Sequence, residues 1–377
     1  MQCIRQIAEI DSTEWNALAG TDYPFLRHEF LSALETSGAV SPQTGWQAQH
    51  LLVMDNQALI AVMPLYLKFH SWGEYVFDQA WAQAYQSHGL AYYPKYLTSI
   101  PFTPCVGPRL IIKADQPFEP IVGILLKFIQ SQADLQGVSS WHCLFAEPGL
   151  IKSLAAEKLI IRETVQFQWF NRGYSSLDDF LATLTASKRK MIKRERRKVR
   201  EQGIYLQRLL GKQIQTTDWQ LFYRFYALTY LKRQSQPYLN LAFFLTLAST
   251  MPEQLQLILA IKDSQPVAAA LFFEGTDSLF GRYWGCDDEY DALHFEACYY
   301  QGIDYCIAQG LKRFDSGAQG EHKIARGFEP ISTHSAHWIK APEFALAIHD
   351  FVRRETNHIN QYRLAAAAYL PFREAKF

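Results

Sequence analysis

The chain has 377 residues, 49% of them hydrophobic, and its 37 Lys and Arg balance 37 Asp and Glu. That length favours two domains over one core, and zero formal charge removes any global field that would draw the molecule to nucleic acid or anionic lipid. Residues 1–12 mix Arg5, Glu9 and Asp11 among apolar neighbours, and no run approaches 18 uncharged apolar residues, so the expectation is a cytoplasmic protein without a membrane span.

In chain order, Arg27-His28-Glu29 opens a helical pattern, and 50–53 with 58–67 reads as a β-hairpin turned by Met54-Asp55-Asn56-Gln57. The aromatic run 75–77 reads as a following strand. Then come a strand over 159–170, a short helix over 176–184 and a strongly basic helix over 188–202, closed by Gly203. A second hairpin, 257–261 with 267–273, flanks Lys262-Asp263-Ser264-Gln265-Pro266, so that 55–61 aligns with 263–269 at an offset of 208. An aromatic strand, 279–284, follows it as 75–77 follows the first. This repetition predicts a diverged internal duplication with domains 1–165 and 166–377. Helix 292–308 stops at Gly310, then strand 311–314, loop 317–329, strand 331–339 and closing helices 342–354 and 358–369 complete the chain. The order predicts an α+β fold, with twisted mixed sheets flanked by helices.

Cys3, Cys105, Cys143, Cys286, Cys298 and Cys306 form no C-x-x-C pair, and the glycines form neither a dinucleotide fingerprint nor a P-loop, so no metal is expected. His334 and His337 lie three apart on a strand and so face opposite sides, which argues against a shared metal; His70 and His294 read as structural histidines.

Two constellations carry chemistry. Residues 188–200 hold nine cations in thirteen, leaving 28 cations against 36 anions elsewhere, while Met191, Ile192 and Val199 keep a narrow apolar seam for docking. Such a run is commonly a solvated face paired with acids; the functional reading is a helix, with Arg189, Arg196 and Arg197, that meets a phosphate-bearing substrate. The loop 314–328 has three glycines and concentrates Glu321, His322, Lys323 and Arg326 in six residues. Acyl transfer to an amine needs such parts: a base for the amine's proton and a cation or donor for the oxyanion. A surface turn is the alternative.

The stretch from Ser187 and Arg189 to Arg200, residues 263–270, Tyr283-Trp284-Gly285, and Phe314-Asp315 with Gly317, Lys323 and Phe328 resemble the acetyltransferase-like domain of Fem-type and BioF-like N-acyltransferases of the GNAT superfamily. Pro24 to Leu31, Tyr66 to Asp78, Gly281 to Gly285 and Gly317 to Lys323 are similar to a bacterial family of predicted N-acyltransferases described as peptidoglycan biosynthesis or recognition proteins. The resemblance implies two tandem GNAT-like domains and direct acyl or aminoacyl transfer to an amine acceptor, such as a peptidoglycan-related precursor. It puts Lys323 beside the substrate, leaves Glu321 and His322 as acid/base candidates and sets Tyr283 at the strand where the sheet opens; Arg326 and the helix arginines are binding candidates from their charge and spacing. Acyl-coenzyme A and aminoacyl-tRNA are the donors it implies.

One segment departs from that pattern. Where acetyl-coenzyme A enzymes have a glycine-rich basic turn for the pyrophosphate, residues 285–291 read Gly-Cys-Asp-Asp-Glu-Tyr-Asp. Four carboxylates would repel it, which tilts the expectation toward another donor or toward phosphates on the basic helix. The competing function class is a non-catalytic binding module that holds RNA or nucleotide-linked ligands on that helix.

Overall fold

The computed structural model describes residues 1–318 and 320–373. They divide into two compact units, Met1–Val165 with Ser332–Tyr362, and Gln166–Ile331 with the segment from Arg363 onward. The architecture is mixed α+β. No helix among the described residues is long and apolar enough to cross a membrane.

In the first unit, Gln2–Ile4, His50–Asp55, Ala58–Met63 and Ile111–Ile112 make an antiparallel sheet. Further strands pair in the order 335–339, Ser140–Leu144, Lys95–Thr98, Tyr66–Lys68 and Trp46–Ala48. Helix Phe118–Gln136 buries Ile121, Val122, Leu125, Leu126, Ile129 and Ala133, a stripe at three- and four-residue spacing, and stops at Gly137 in the left-handed region. Its stripe packs with Leu51, Met63 and Trp141 into one core.

The aromatic run 75–77 is not a strand. Tyr75 has φ +63° and Gly73 φ +81°, so the chain turns there, and Phe77 stays exposed while Glu74 and Asp78 point inward. The pair of closing helices is instead one helix, Pro342–Ala368.

In the second unit, Ile204–Leu210, Leu255–Lys262, Gln265–Glu274 and Ser278–Cys286 form an antiparallel meander. Arg313–Asp315 then joins parallel to Ser278–Phe280 and antiparallel to Gln168–Phe170. Both expected hairpins form, with two-residue turns at Asn56-Gln57 and Asp263-Ser264, all four at positive φ, as such turns require. The turns are equivalent at an offset of 207, one less than the lettering suggested, because Asp55 closes the first hairpin while Asp263 lies inside the second turn.

Candidate active site

Strand Ser278–Cys286 pairs with Arg313–Asp315 only as far as Phe280↔Asp315. Beyond that point its remaining residues have no strand on that side among the described residues, and the sheet opens. On the other side, Phe272 faces Gly281 and Leu271 faces Tyr283, so Arg282 is the extra residue of a β-bulge. A bulge re-aims its side chain. Here it turns the guanidinium onto Asp315, with Nη1 to Oδ1 at 3.1 Å and Nη2 to Oδ2 at 3.0 Å, both side chains only 3% exposed. Asp315 also accepts from the Gly317 amide at 2.9 Å. Burial raises the Asp315 pKa, but the Arg282 charge outweighs it and holds the carboxyl below its usual range.

A cavity of about 110 Å³ occupies the opening. Ala270, Leu271 and Phe272 form one wall, Gly281 to Trp284 the floor, and His294, Cys298 and Tyr299 the helical wall; Ser316 closes it. The helical wall follows Ala292, at φ +61°, and runs through a five-residue π segment, Glu296–Tyr300, into Gln301–Gln309. π segments recur at functional sites because the extra residue rotates the side chains after it. The Ser316 Oγ is buried with no hydrogen-bond partner among the described residues. The His294 ring packs against Trp284 and Tyr299 at centroid distances of 5.5 and 5.2 Å. Burial, then the positive potential of His322, Lys323 and Arg326, pushes its pKa down to about 4, so the imidazole is neutral at physiological pH.

Lys323 is 1% exposed and stands behind this wall, donating from Nζ to the Gly317 carbonyl at 2.6 Å and lying 5.9 Å from the Tyr299 ring centroid. Burial lowers its pKa to about 8, against the opposing pull of Asp315. His322 is exposed, and its Nε2 lies 2.8 Å from the Tyr299 hydroxyl; Glu321 is exposed in the first turn of Glu321–Arg326. Tyr283 lines the cavity. Lys323, His322 and Tyr283 are thus brought to one place, whereas Ser316 and His294 enter the site without a sequence signal that singles them out. A lone serine has no pattern, and His294 reads as a core histidine on its helix.

The basic helix, Ala186–Glu201, buries Ile192 and Val199, and Val199 packs with Ile204, Ala260, Val267 and Leu293. Two arginines turn inward. Arg196 bonds Glu296 at 3.0 Å and Asp304 at 2.7 Å, and Arg326 from the loop bonds Glu195 at 2.7 Å, stacking 3.5 Å from the Phe295 ring centroid. Arg197 is exposed and meets Glu201 at 3.3 Å; Arg189 is half-buried. Lys190, Arg194 and Arg200 are exposed. The acidic turn keeps Asp287, Asp288, Glu289 and Asp291 exposed, and Asp291 pairs with Lys198 of the basic helix at 2.5 Å.

The first unit has its own buried polar cluster. Lys95 Nζ bonds Glu74 at 2.7 Å, Asp78 at 2.5 Å and Ser71 at 2.8 Å. Burial works against its charge, but Asp78, joined by Glu74 once that group ionises, outweighs it and holds the pKa above the usual lysine value. Lys68 lies 3.9 Å from Glu74 and 3.6 Å above the Trp46 ring. Asp78 accepts from Tyr92, whose hydroxyl reaches His142, and His142 Nδ1 lies 2.7 Å from His337 Nδ1. Burial keeps both histidines neutral.

The family model for FemAB-like proteins, described as peptidoglycan biosynthesis/recognition, matches residues 6–374. No curated protein matches the chain. Three solved structures share the fold at low identity. The C-terminal domain of an Agrobacterium fabrum protein described as a lysylphosphatidylglycerol synthetase has TM-score 0.56 and 9% identity, covering 92% of this chain and 96% of that one. FemX has TM-score 0.55 and 11% identity, with 93% and 100% covered. L-PGS from Bacillus licheniformis has TM-score 0.51 and 8% identity, with 88% and 98% covered.

Proposed function

Because the chain belongs to the FemAB-like family of peptidoglycan biosynthesis/recognition proteins, we propose that it is an N-acyltransferase moving an acyl group from an activated ester or thioester to an amine of a peptidoglycan-related precursor. The observation that carries this reading is the convergence of Ser316, Arg282 and His294 on one cavity at the bulge of an opened sheet.

In this mechanism the acceptor nitrogen attacks the acyl carbonyl carbon. The C–O or C–S bond of the tetrahedral adduct then breaks, and the leaving oxygen or sulfur departs with the electron pair. The Ser316 hydroxyl, without a hydrogen-bond partner among the described residues, donates to the carbonyl oxygen as negative charge gathers there, and the buried Arg282 and Lys323 charges stabilise it. His294, already unprotonated, accepts the proton that the nitrogen loses. Transfer is direct, with no acylated side chain. The donor is an acyl-coenzyme A or an aminoacyl-tRNA, with its phosphates on Lys190, Arg194 and Arg200, the outward cations of the basic helix.

The test is amine acylation by the purified protein, followed by mass spectrometry with donors of both kinds and stem-peptide amines as acceptors. Ser316→Ala, His294→Asn and Lys323→Met should each lower kcat by about 100-fold or more, the scale of losing one oxyanion donor or a general base. Undiminished turnover in all three would end this reading. The exposed cations also favour a second one, a binding module for RNA or nucleotide-linked ligands. It predicts steeply salt-dependent binding, weakened by Arg194→Glu and Arg200→Glu, with no turnover of any donor.

A further inference from the structure

The size and lining of the cavity bear on which acyl group it holds, an inference that rests on the acyl-transfer reading. The pocket opens to solvent on one side; measured against a closed cavity of about 150 Å³ that accommodates benzene, six carbon atoms, its 110 Å³ seats about four or five non-hydrogen atoms between its walls, and an acyl group whose carbonyl stays at the mouth must fit its tail into that space. The walls cannot easily retreat. Ala270 and Phe272 are 1% exposed in a central strand, paired on both sides, and a methyl group on Gly281 would already touch the Phe272 and Phe314 rings at 3.3 Å.

The charge around the cavity is one-sided. Arg282 lines it, and Lys323 and Arg326 stand close enough to depress His294. Asp315, the carboxylate that pairs with Arg282, already serves it with both oxygens and the Gly317 amide with one. A second cation in the cavity would meet like charge and, among the described residues that line it, no carboxylate. A carbonyl oxygen, by contrast, finds the buried Ser316 hydroxyl, which has no other partner among the described residues.

We propose that the cavity is the acyl pocket and that it selects short, uncharged acyl groups of about four or five non-hydrogen atoms over long chains and over cationic groups such as lysyl, so that of the two donor classes it takes the acyl thioester rather than an aminoacyl ester, whose α-ammonium is itself a cation. The selection is steric on the wall formed by Ala270 and electrostatic on the side of Arg282.

The experiment uses the full chain in two parallel arms. In the first, acetamide, butyramide, hexanamide and lysinamide are titrated by NMR, observing the Trp284 indole. Acetamide and butyramide should perturb it, and hexanamide and lysinamide should bind at least tenfold more weakly. Ala270→Val should shift the cut-off down, costing butyramide at least tenfold, and Ala270→Gly, which acts in the opposite direction, should readmit longer amides. Hexanamide or lysinamide binding as well as acetamide overturns the proposal, as does a cut-off that neither variant moves. In the second arm, the matching acyl thioesters of N-acetylcysteamine are offered with a stem-peptide amine. Acylation with a flat dependence on chain length removes the size inference and leaves acyl transfer standing. Amide binding with the expected cut-off, but no acylation from any donor, supports the pocket and removes the transferase reading.

Discussion

Replacing Asp315 with Asn tests the physical centre of the site. The carboxylate holds Arg282 through two bonds of 3.1 and 3.0 Å, both partners almost fully buried, and it also fixes the Gly317 amide. Asn keeps an oxygen for Gly317 but leaves the guanidinium charge buried without its counter-charge. Removing one partner of such a pair costs about 3–5 kcal/mol, against about 0–1 kcal/mol for an exposed pair. Because Asn preserves one bond, the lower end applies, about 3 kcal/mol. The assay is urea unfolding followed by a probe in the second unit, within a double-mutant cycle with Arg282→Met. In the Arg282→Met background, Asp315→Asn should cost about 1 kcal/mol or less, because the charge left stranded is gone; the difference is the coupling energy. The same substitution removes the acid that raises Lys323, so the lysine should titrate below about 8. A cost under about 1 kcal/mol in the wild-type background would refute the reasoning, since it would mean that the pair is solvated.

Three further outcomes follow from the same geometry. The rate of acyl transfer should be level between two limbs: it falls below about pH 4, where His294 gains a proton, and above about pH 8, where Lys323 loses its charge; Lys323→Met should erase the alkaline limb alone, and a profile unchanged by that substitution would remove the lysine from the mechanism. Burial pushes Glu74 up from its ordinary 4.5 to about 7, so the folded state holds a proton there that the unfolded chain has lost; stability should therefore fall as pH rises from 4.5 to 7, by up to about 1.4 kcal/mol per pH unit, and denaturant titrations of Glu74→Gln should show that slope gone. Lys68, pushed down to about 7 by burial, works in the opposite sense above that pH. In Gly285→Ala the new methyl carbon would lie 2.0 Å from the Phe225 carbonyl oxygen, so the melting temperature should drop by an amount equivalent to about 2 kcal/mol or more, and an unchanged value would show that helix Thr216–Leu231 can yield.

The parts that were legible in the sequence are those whose chemistry is local. Asn56-Gln57 and Asp263-Ser264 announce their hairpins because Asn, Asp and Ser are short polar residues that suit turns between apolar runs. The basic helix is legible because its cations leave only Ile192 and Val199 to bury. What was hidden depends on distant partners. Residues 75–77 have strand composition, yet Glu74 and Asp78 are drawn in to Lys95, and the aromatic side chains are left outside. Helix Pro342–Ala368 runs on past 354, and there Glu355 is held by Arg162 at 2.7 Å, a contact no local pattern contains. Composition marked the loop around Lys323, but the bulge that turns Arg282 toward Asp315 comes from strand register, and the significance of Ser316 and His294 appears only once the sheet has opened beside them.

Glu195 and Arg196 are neighbours on the basic helix, and each is matched to a buried group of the opposite sign: Glu195 to Arg326, and Arg196 to Glu296 with the half-buried Asp304 beside it. Adjacent positions on a helix lie about 100° apart, so satisfying both at once permits a single angle of roll. The lone acid in that cationic run therefore works like the notch of a key. It decides which lysines and arginines look outward, and so where on the molecule a polyanion would first be felt.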